Sequence, residues 1–421
     1  MDQFLYVTKS VCPLCLRELY AEIREKEDGI YMDKRCPEHG DFHTRIWGHN
    51  REHYYRWLSA GGIALEALPQ TEEETDRLLK GRDFAFDACM QPASAALMTT
   101  NRCNMNCPVC FTRDRRESLH EPDLDECGQL LRRYREACGE DALLEFCGGE
   151  PTVREDLCEL ACLARKIGFD YIQLNTNGLR LAESVEYCRR LRDAGVTTIY
   201  LGFDGVTDKP YFAKYGRSLL QIKKQAVANC ALAGLAVILV TCVIPGENDG
   251  QLGEILNFAK TNMPTVKGLY LQPISYFGIY PDDKIRRITI PDVIRALAEQ
   301  SGEIREEDFC PGAYEHAQCS FNACYMLDRN ANLRSLTRFS ERRSEKDAIH
   351  RVRKNIRSTW MPGPNKMLTI GGMAFQDAWN IDLMRVNRCS IHILQKDGKR
   401  ISLCSKYLSA CNGSKIFPGI G

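Results

Sequence analysis

Three cysteines fall within the thirteen residues TTNRCNMNCPVCF: Cys103, Cys107 and Cys110, in a C-x3-C-x2-C spacing. Thiolates this close on one segment can hold three irons of a [4Fe–4S] cube, because Cys is the usual ligand and a single loop can wrap the cluster. The fourth iron then has no protein ligand and can take a small molecule, as a catalytic zinc keeps one position open. A second group lies upstream, where Cys12-x2-Cys15 and Cys36-x2-His39 are separated by twenty residues. Two such knuckles converge tetrahedrally on one metal, zinc ahead of a rubredoxin-like iron. Downstream stand Cys310, Cys319, Cys324, Cys389, Cys404 and Cys411, with His316 and His392 nearby. Six thiols exceed what a reduced tail needs, and Cys310, Cys319, Cys324 and Cys404 are the expected ligands of an auxiliary [4Fe–4S] cluster.

The rest of the composition fits metal ligands better than disulfides. The chain has 421 residues and 21 Cys, an odd number that cannot pair fully. It begins MDQFLYVTKSVC, with no charged-then-apolar leader. Its most apolar stretch, Cys230 to Pro245, is 16 residues long, short of the 18 or so that span a bilayer. A reduced, cytoplasmic protein without a transmembrane segment is expected. Lys plus Arg (56) equals Asp plus Glu (56), so no basic field favours nucleic acid or anionic lipid, and neither is expected as a partner.

The cysteine loop needs elements to carry it. Between residues 94 and 300, apolar β-branched runs alternate with amphipathic stretches. The strand candidates are 95–100, 142–147, 171–176, 197–203, 236–243 and 268–274, with helical patterns between them. Six β/α units predict parallel strands with crossover helices, and Cys103 directly follows the first strand, at the carboxyl end where such folds place their chemistry. The division expected is a metal knuckle over 1–50, a helical connector over 51–90, the β/α core over 91–300 and an extension over 301–421. Within that extension the basic run 334–357 reads as a solvated helix face, or else as a cover bringing Arg or Lys to an anionic substrate.

The C-x3-C-x2-C loop, followed by Phe111, resembles the hallmark of the radical S-adenosylmethionine (SAM) superfamily, and later motifs fall at the matching strand ends. The resemblance implies an α/β fold, a partial (β/α)6 TIM-like barrel, flanked here by the N-terminal metal ribbon and the Cys-rich C-terminal extension. It implies that Cys103, Cys107 and Cys110 hold the catalytic cluster. Gly148, Gly149 and Glu150 in CGGEPT look like the motif that receives the SAM amino group, where glycines let backbone approach closely. Asn175 and Asn177 in LNTNG resemble residues near the SAM ribose and carboxylate. Asp204 in LGFDG points at the cavity, and Gln272 and Pro273 in LQP look like adenine or substrate contacts.

The chemistry implied is reductive cleavage of SAM to a 5′-deoxyadenosyl radical, which then modifies an unactivated carbon by methyl or alkyl transfer or C–C bond formation. Its implied partners are a small-molecule or lipid substrate and a reductant such as ferredoxin or flavodoxin. The alternative is an iron–sulfur electron-transfer or maturation partner without SAM turnover. CPLC…CPEHG and the terminal FQDAWNIDLMRVNRCSIHI with LCSKY are similar to one branch, which includes the archaeal tetraether lipid synthases and an enzyme methylating a dihydropterin precursor. After Phe309 the chain departs from that branch: CPGAYEHAQC lacks the compact Cys-Ser-His-Pro element of the relatives.

Overall fold

A computed structural model of the protein describes residues 2–80, 92–107, 110, 120–278, 287–312, 314–339, 348–395 and 400–416. Strands β1 (Gln3–Val11), β2 (Glu18–Lys26), β3 (Gly29–Cys36) and β4 (Gly40–Trp47) form an antiparallel meander. Alternation decides what it buries: Leu19, Ala21 and Ile23 of β2 point inward. A core of its own is not required, because Ile23, Ile30, Met32 and Trp47 join the main core with Tyr54 and Trp57 of the following helix Arg51–Ala60. At the junction Arg45 donates twice to the Asp292 carboxylate, at 3.0 and 3.2 Å.

The second sheet begins with β5 (Ser94–Thr100), β6 (Leu143–Gly148), β7 (Ile172–Thr176), β8 (Thr198–Gly202), β9 (Ala236–Val243) and β10 (Val266–Pro273). These six run parallel and pair in sequence order. Their crossover helices turn an apolar stripe to the sheet; Leu157, Leu160, Ala161 and Ala164 of helix Leu157–Ile167 keep the i, i+3, i+4, i+7 spacing.

The tail supplies strands to both edges of that same sheet. Near one edge lie β11 (Cys310–Pro311), β12 (Ser320–Leu327) and β13 (Leu333–Ser335), with β14 (Met367–Met373) parallel to β10 and antiparallel to β12. At the other edge β15 (Ile391–Leu394) runs parallel to β5, and β16 (Arg400–Ser402) pairs antiparallel with β15. Eight neighbouring strands are thus parallel, two more than the six β/α units of the core supply. Among the described residues β14 and β15 do not pair, and both line one cavity with the strands between them, so the sheet is curled.

Residues 340–347 of the basic run lie outside the described residues, as does Phe111. The remainder forms helix Ala348–Trp360, and its role differs from a solvated face. Val352, Ile356, Thr359 and Trp360 line the barrel interior. Its cations turn away: buried Arg353 donates to the carbonyls of Pro92, Ala93 and Cys138 and to Asp141, while Arg357 pairs with Asp170. The helix therefore covers the amino end of the barrel with a mixed face, Val352, Ile356 and Trp360 beside Asn355, Ser358 and Thr359, and its arginines fasten it there.

Candidate active site

Inside the curled sheet lies a cavity of about 740 Å³, lined from β5 to β10 and by both edges. Alternate residues face it: Ala96 and Met98 of β5, Glu145 and Cys147 of β6, Gln173 and Asn175 of β7, Tyr200 of β8, Cys242 of β9 and Tyr270 and Gln272 of β10. Cys103, Cys107 and Cys110 stand at its carboxyl-end mouth.

Burial, together with the charges of Cys110 and Cys103, pushes the Cys107 thiol up to about 11. A thiol raised in this way by two neighbouring thiols suits a cationic metal group that takes all three as thiolates. The backbone N–H of Met105 already donates to Cys103 Sγ at 3.4 Å. The loop is braced from β6. Gly149 N donates to Thr100 O and Glu150 N to Arg102 O, both at 2.8 Å. Here glycine is required: Gly148 has φ +147°, and an added Cβ would lie 2.1 Å from Thr100 O, or at Gly149 2.3 Å from Arg102 O.

Glu150 is engaged within the protein. Its carboxylate accepts from Thr152 N (3.1 Å), Thr152 Oγ1 (2.7 Å), Thr176 Oγ1 (2.6 Å) and Asn177 N (2.6 Å), tying the end of β6 to the end of β7. Asn177 in turn donates to Asn104 Oδ1 on the cysteine loop at 2.8 Å. Asp204 is fully buried and accepts from Lys214 (2.9 and 3.1 Å), Tyr215 Oη and Cys242 N. Lys214 and Tyr215, rather than Asp204, reach the cavity wall, so Asp204 acts by positioning them. Although burial opposes its charge, Lys214 is held well above the usual ammonium range by Asp204. A fixed cation beside Cys107 is thus available for an anionic group. Gln272 and Pro273 line the cavity as expected.

Lys214, Tyr215, Glu145 and Gln173 escaped the sequence reading. The signal for the last two was present: Glu145 and Gln173 are polar residues inside apolar strand runs, at positions whose alternation marks one face.

The N-terminal group converges. Ligand atoms of Cys12, Cys15, Cys36 and His39 all lie within 4.8 Å of one another. Cys15 Sγ to Cys36 Sγ is 3.9 Å, and His39 Nδ1 is 3.4 Å from Cys36 Sγ and 3.7 Å from Cys12 Sγ. Bond lengths of about 2.3 Å to sulfur and 2.0 Å to nitrogen give tetrahedron edges of about 3.8 and 3.5 Å. These four residues fit one tetrahedral metal.

In the tail, the expected quartet is not brought to one point. The four strand steps from Ser320 to Cys324 span about 13 Å, which separates Cys324 from Cys319, the residue before β12. Cys310 pairs opposite Asn322 and donates to Arg338 O at 3.0 Å. Instead Cys389 and Cys404 are the thiols whose surroundings include Cys319: burial pushes the Cys389 thiol up to about 12, with Cys319 adding to it, and Cys404 is raised by burial, by Cys389 and by Cys319. Arg385, itself buried, donates to Cys319 Sγ at 3.2 Å. Of the aromatic residues near the tail, Phe375 lines the cavity, Trp379 packs edge-on against Phe42 at 5.7 Å, and Tyr325 is core.

A three-thiol loop at the carboxyl ends of parallel strands, braced by glycine backbone and standing at the mouth of a large cavity inside the sheet, defines an iron–sulfur enzyme of the radical SAM class. Family models and a curated relative agree. A model described as the radical SAM superfamily matches residues 97–259, and one described as the HMPTM N-terminal zinc ribbon domain matches residues 4–48. The 7,8-dihydro-6-hydroxymethylpterin dimethyltransferase of Methanocaldococcus jannaschii is 31% identical over 474 residues, covering 94% of this chain and 92% of that one. The GTP 3′,8-cyclase of Clostridium perfringens is 24% identical over 204 residues, 48% of this chain and 60% of that one. Among solved structures, anSMEcpe with bound AdoMet aligns over 49% of this chain and 58% of that chain at 16% identity, with a TM-score of 0.39. The chain belongs to the radical SAM superfamily, in the family of the dihydropterin dimethyltransferase, and is a radical SAM transferase.

Proposed function

We propose that this transferase methylates a reduced pterin of the 7,8-dihydro-6-hydroxymethylpterin type. The observation that carries the reading is a cavity with two unlike ends. The mouth has three thiols, glycine backbone and Lys214; the interior has a carboxylate, amides and aromatic rings, suited to a flat, nitrogen-rich substrate. Similarity to the dihydropterin dimethyltransferase over nearly the whole of both chains supports the same substrate class.

Cys103, Cys107 and Cys110 would hold the cluster, which when bound supplies the electron for SAM cleavage. The backbone of Gly148 and Gly149 would meet the SAM amino group and Lys214 its carboxylate, with Asn175, Asn177, Gln272 and Pro273 around them. The curled sheet and the helix beneath it would keep water from the radical. Zinc would occupy the N-terminal tetrahedron. Cys319, Cys389 and Cys404 would hold an auxiliary iron–sulfur cluster, its anionic charge offset by Arg385. The electron would come from a ferredoxin or flavodoxin.

The test is direct. Anaerobically reconstituted protein given dithionite, 7,8-dihydro-6-hydroxymethylpterin and SAM, one SAM as radical source and another as methyl donor, is expected to yield 5′-deoxyadenosine, methionine, S-adenosylhomocysteine and a pterin heavier by one or two methyl groups. Release of 5′-deoxyadenosine with the pterin unchanged would sink the substrate and leave the class.

A further inference from the structure

Glu145 lies three strand residues, about 10 Å, deeper in the barrel than Gly148. It is the end point of a directed hydrogen-bond chain. Tyr171 Oη donates to Gln173 Oε1 at 3.0 Å, Gln173 Nε2 donates to Asn175 Oδ1 at 2.8 Å, and Asn175 Nδ2 donates to Glu145 Oε2 at 3.3 Å. Ser94 Oγ donates to the other carboxylate oxygen. Neighbouring strands build this stripe, since Glu145 of β6 is the register partner of Gln173 on β7 and of Ala96 on β5.

Every amide in the chain spends a donor on its neighbour, and acceptor capacity accumulates at the carboxylate. A carboxylate offers about four lone-pair directions, and Ser94 and Asn175 use two of them. Burial raises the Glu145 carboxyl above its ordinary range despite those two donors. An acidic group held this way inside an apolar wall is costly unless a ligand with N–H donors completes it.

The surroundings set the ligand's shape. Tyr200, Tyr270 and Trp360 form a triangle of rings, with centroids 5.5, 6.2 and 6.3 Å apart. Trp360 is fixed by a bond from its Nε1 to Thr369 Oγ1 at 2.7 Å. Glu145, Tyr171, Tyr200, Tyr270 and Trp360 line the same cavity.

We propose that Glu145 is the substrate-specificity residue: its carboxylate accepts the paired N–H donors of a 2-amino-4-oxopyrimidine edge, while Tyr200, Tyr270 and Trp360 wall the flat ring system. The adjacent ring N–H and exocyclic NH2 of such an edge match a carboxylate as a guanidinium does, through two parallel bonds. The opposite end of the substrate then points up the barrel toward Cys103, Cys107 and Cys110. This rests on the dihydropterin reading and adds which residue recognises the ring.

Affinity for 7,8-dihydro-6-hydroxymethylpterin, measured by anaerobic equilibrium titration of the reconstituted full-length protein with SAM present, tests it. Glu145→Gln, close in shape but unable to accept both N–H groups, is expected to weaken pterin binding by about 30-fold. Its SAM affinity and iron content should match wild type, which excludes misfolding. Glu145→Asp, which keeps the charge but withdraws it by one methylene, should lose less. A pterin analogue lacking the 2-amino group should bind wild type weakly and lose little further in Glu145→Gln. Pterin affinity of Glu145→Gln within threefold of wild type overturns the assignment of Glu145 while leaving the substrate standing. Absence of pterin binding to a wild-type protein that binds SAM overturns both.

Discussion

Two cysteine sites, one between Cys12 and His39 and one between Cys103 and Cys110, answer to the same chemistry and reach opposite outcomes. The N-terminal knuckles bring four donors to within 4.8 Å, so the metal's coordination is completed by protein alone. The loop of Cys103, Cys107 and Cys110 offers three donors and opens on a cavity of about 740 Å³. One missing ligand, and a space for something to fill it, is what separates a structural site from a catalytic one. Their supports differ as well. Strand pairing between β3 and β4 and the packing of Trp379 on Phe42 hold the first; the glycine backbone of β6 and the Glu150 and Asn177 bonds hold the second.

Each site can be disabled without the other. Cys103→Ala is expected to abolish 5′-deoxyadenosine release while the N-terminal metal stays at one equivalent, measured by product chromatography and elemental analysis. Loss of both together would mean that the two sites are not independent. Next in size is Asp204→Asn, which leaves Lys214 without its anion in a buried setting. It should destabilise the barrel by about 3 kcal/mol in denaturant titration and weaken SAM binding, with the N-terminal metal retained.

Cys36→Ser removes one donor of the closed site. One metal equivalent should disappear, with a melting temperature lower by about 5 °C in calorimetry, because metal binding there is folding energy. SAM binding should survive, since the cysteine loop draws no ligand from the meander. The smallest effect belongs to Arg17→Ala. The Arg17–Glu38 pair at 2.6 Å sits beside the knuckles but is half-exposed on both sides, so stability should change by no more than about 0.5 kcal/mol. A larger loss would show that surface charge, not the four donors, holds the ribbon.

Much of the fold was legible because its signals are local. All six core strands fall within two residues of the expected spans, since β-branched runs bounded by amphipathic stretches leave few alternatives. What escaped was non-local. Helix Ala348–Trp360 reads as a solvated face because Arg353 and Arg357 look like surface charge; only the fold brings Pro92, Cys138, Asp141 and Asp170 to meet them. Asp204 was recognised as a site residue, but its partners Lys214 and Tyr215 follow a turn and a helix later, with no spacing rule to link them.

Where metal can bind within a loop is legible from residue spacing alone, because ligands along a short segment limit the geometry directly. Cys12, Cys15, Cys36 and His39, and the trio Cys103, Cys107 and Cys110, are both of this kind. Which tail thiols share surroundings depends on the fold instead: Cys319 precedes β12 on one side of the sheet and Cys404 follows β16 on the other, yet the charge of Cys319 reaches both Cys389 and Cys404, while a single extended strand carries Cys324 away. Curvature likewise turned separate alternations in β6 and β7 into one stripe ending at Glu145, because facing across strands is set by register and sheet twist rather than by distance along the chain.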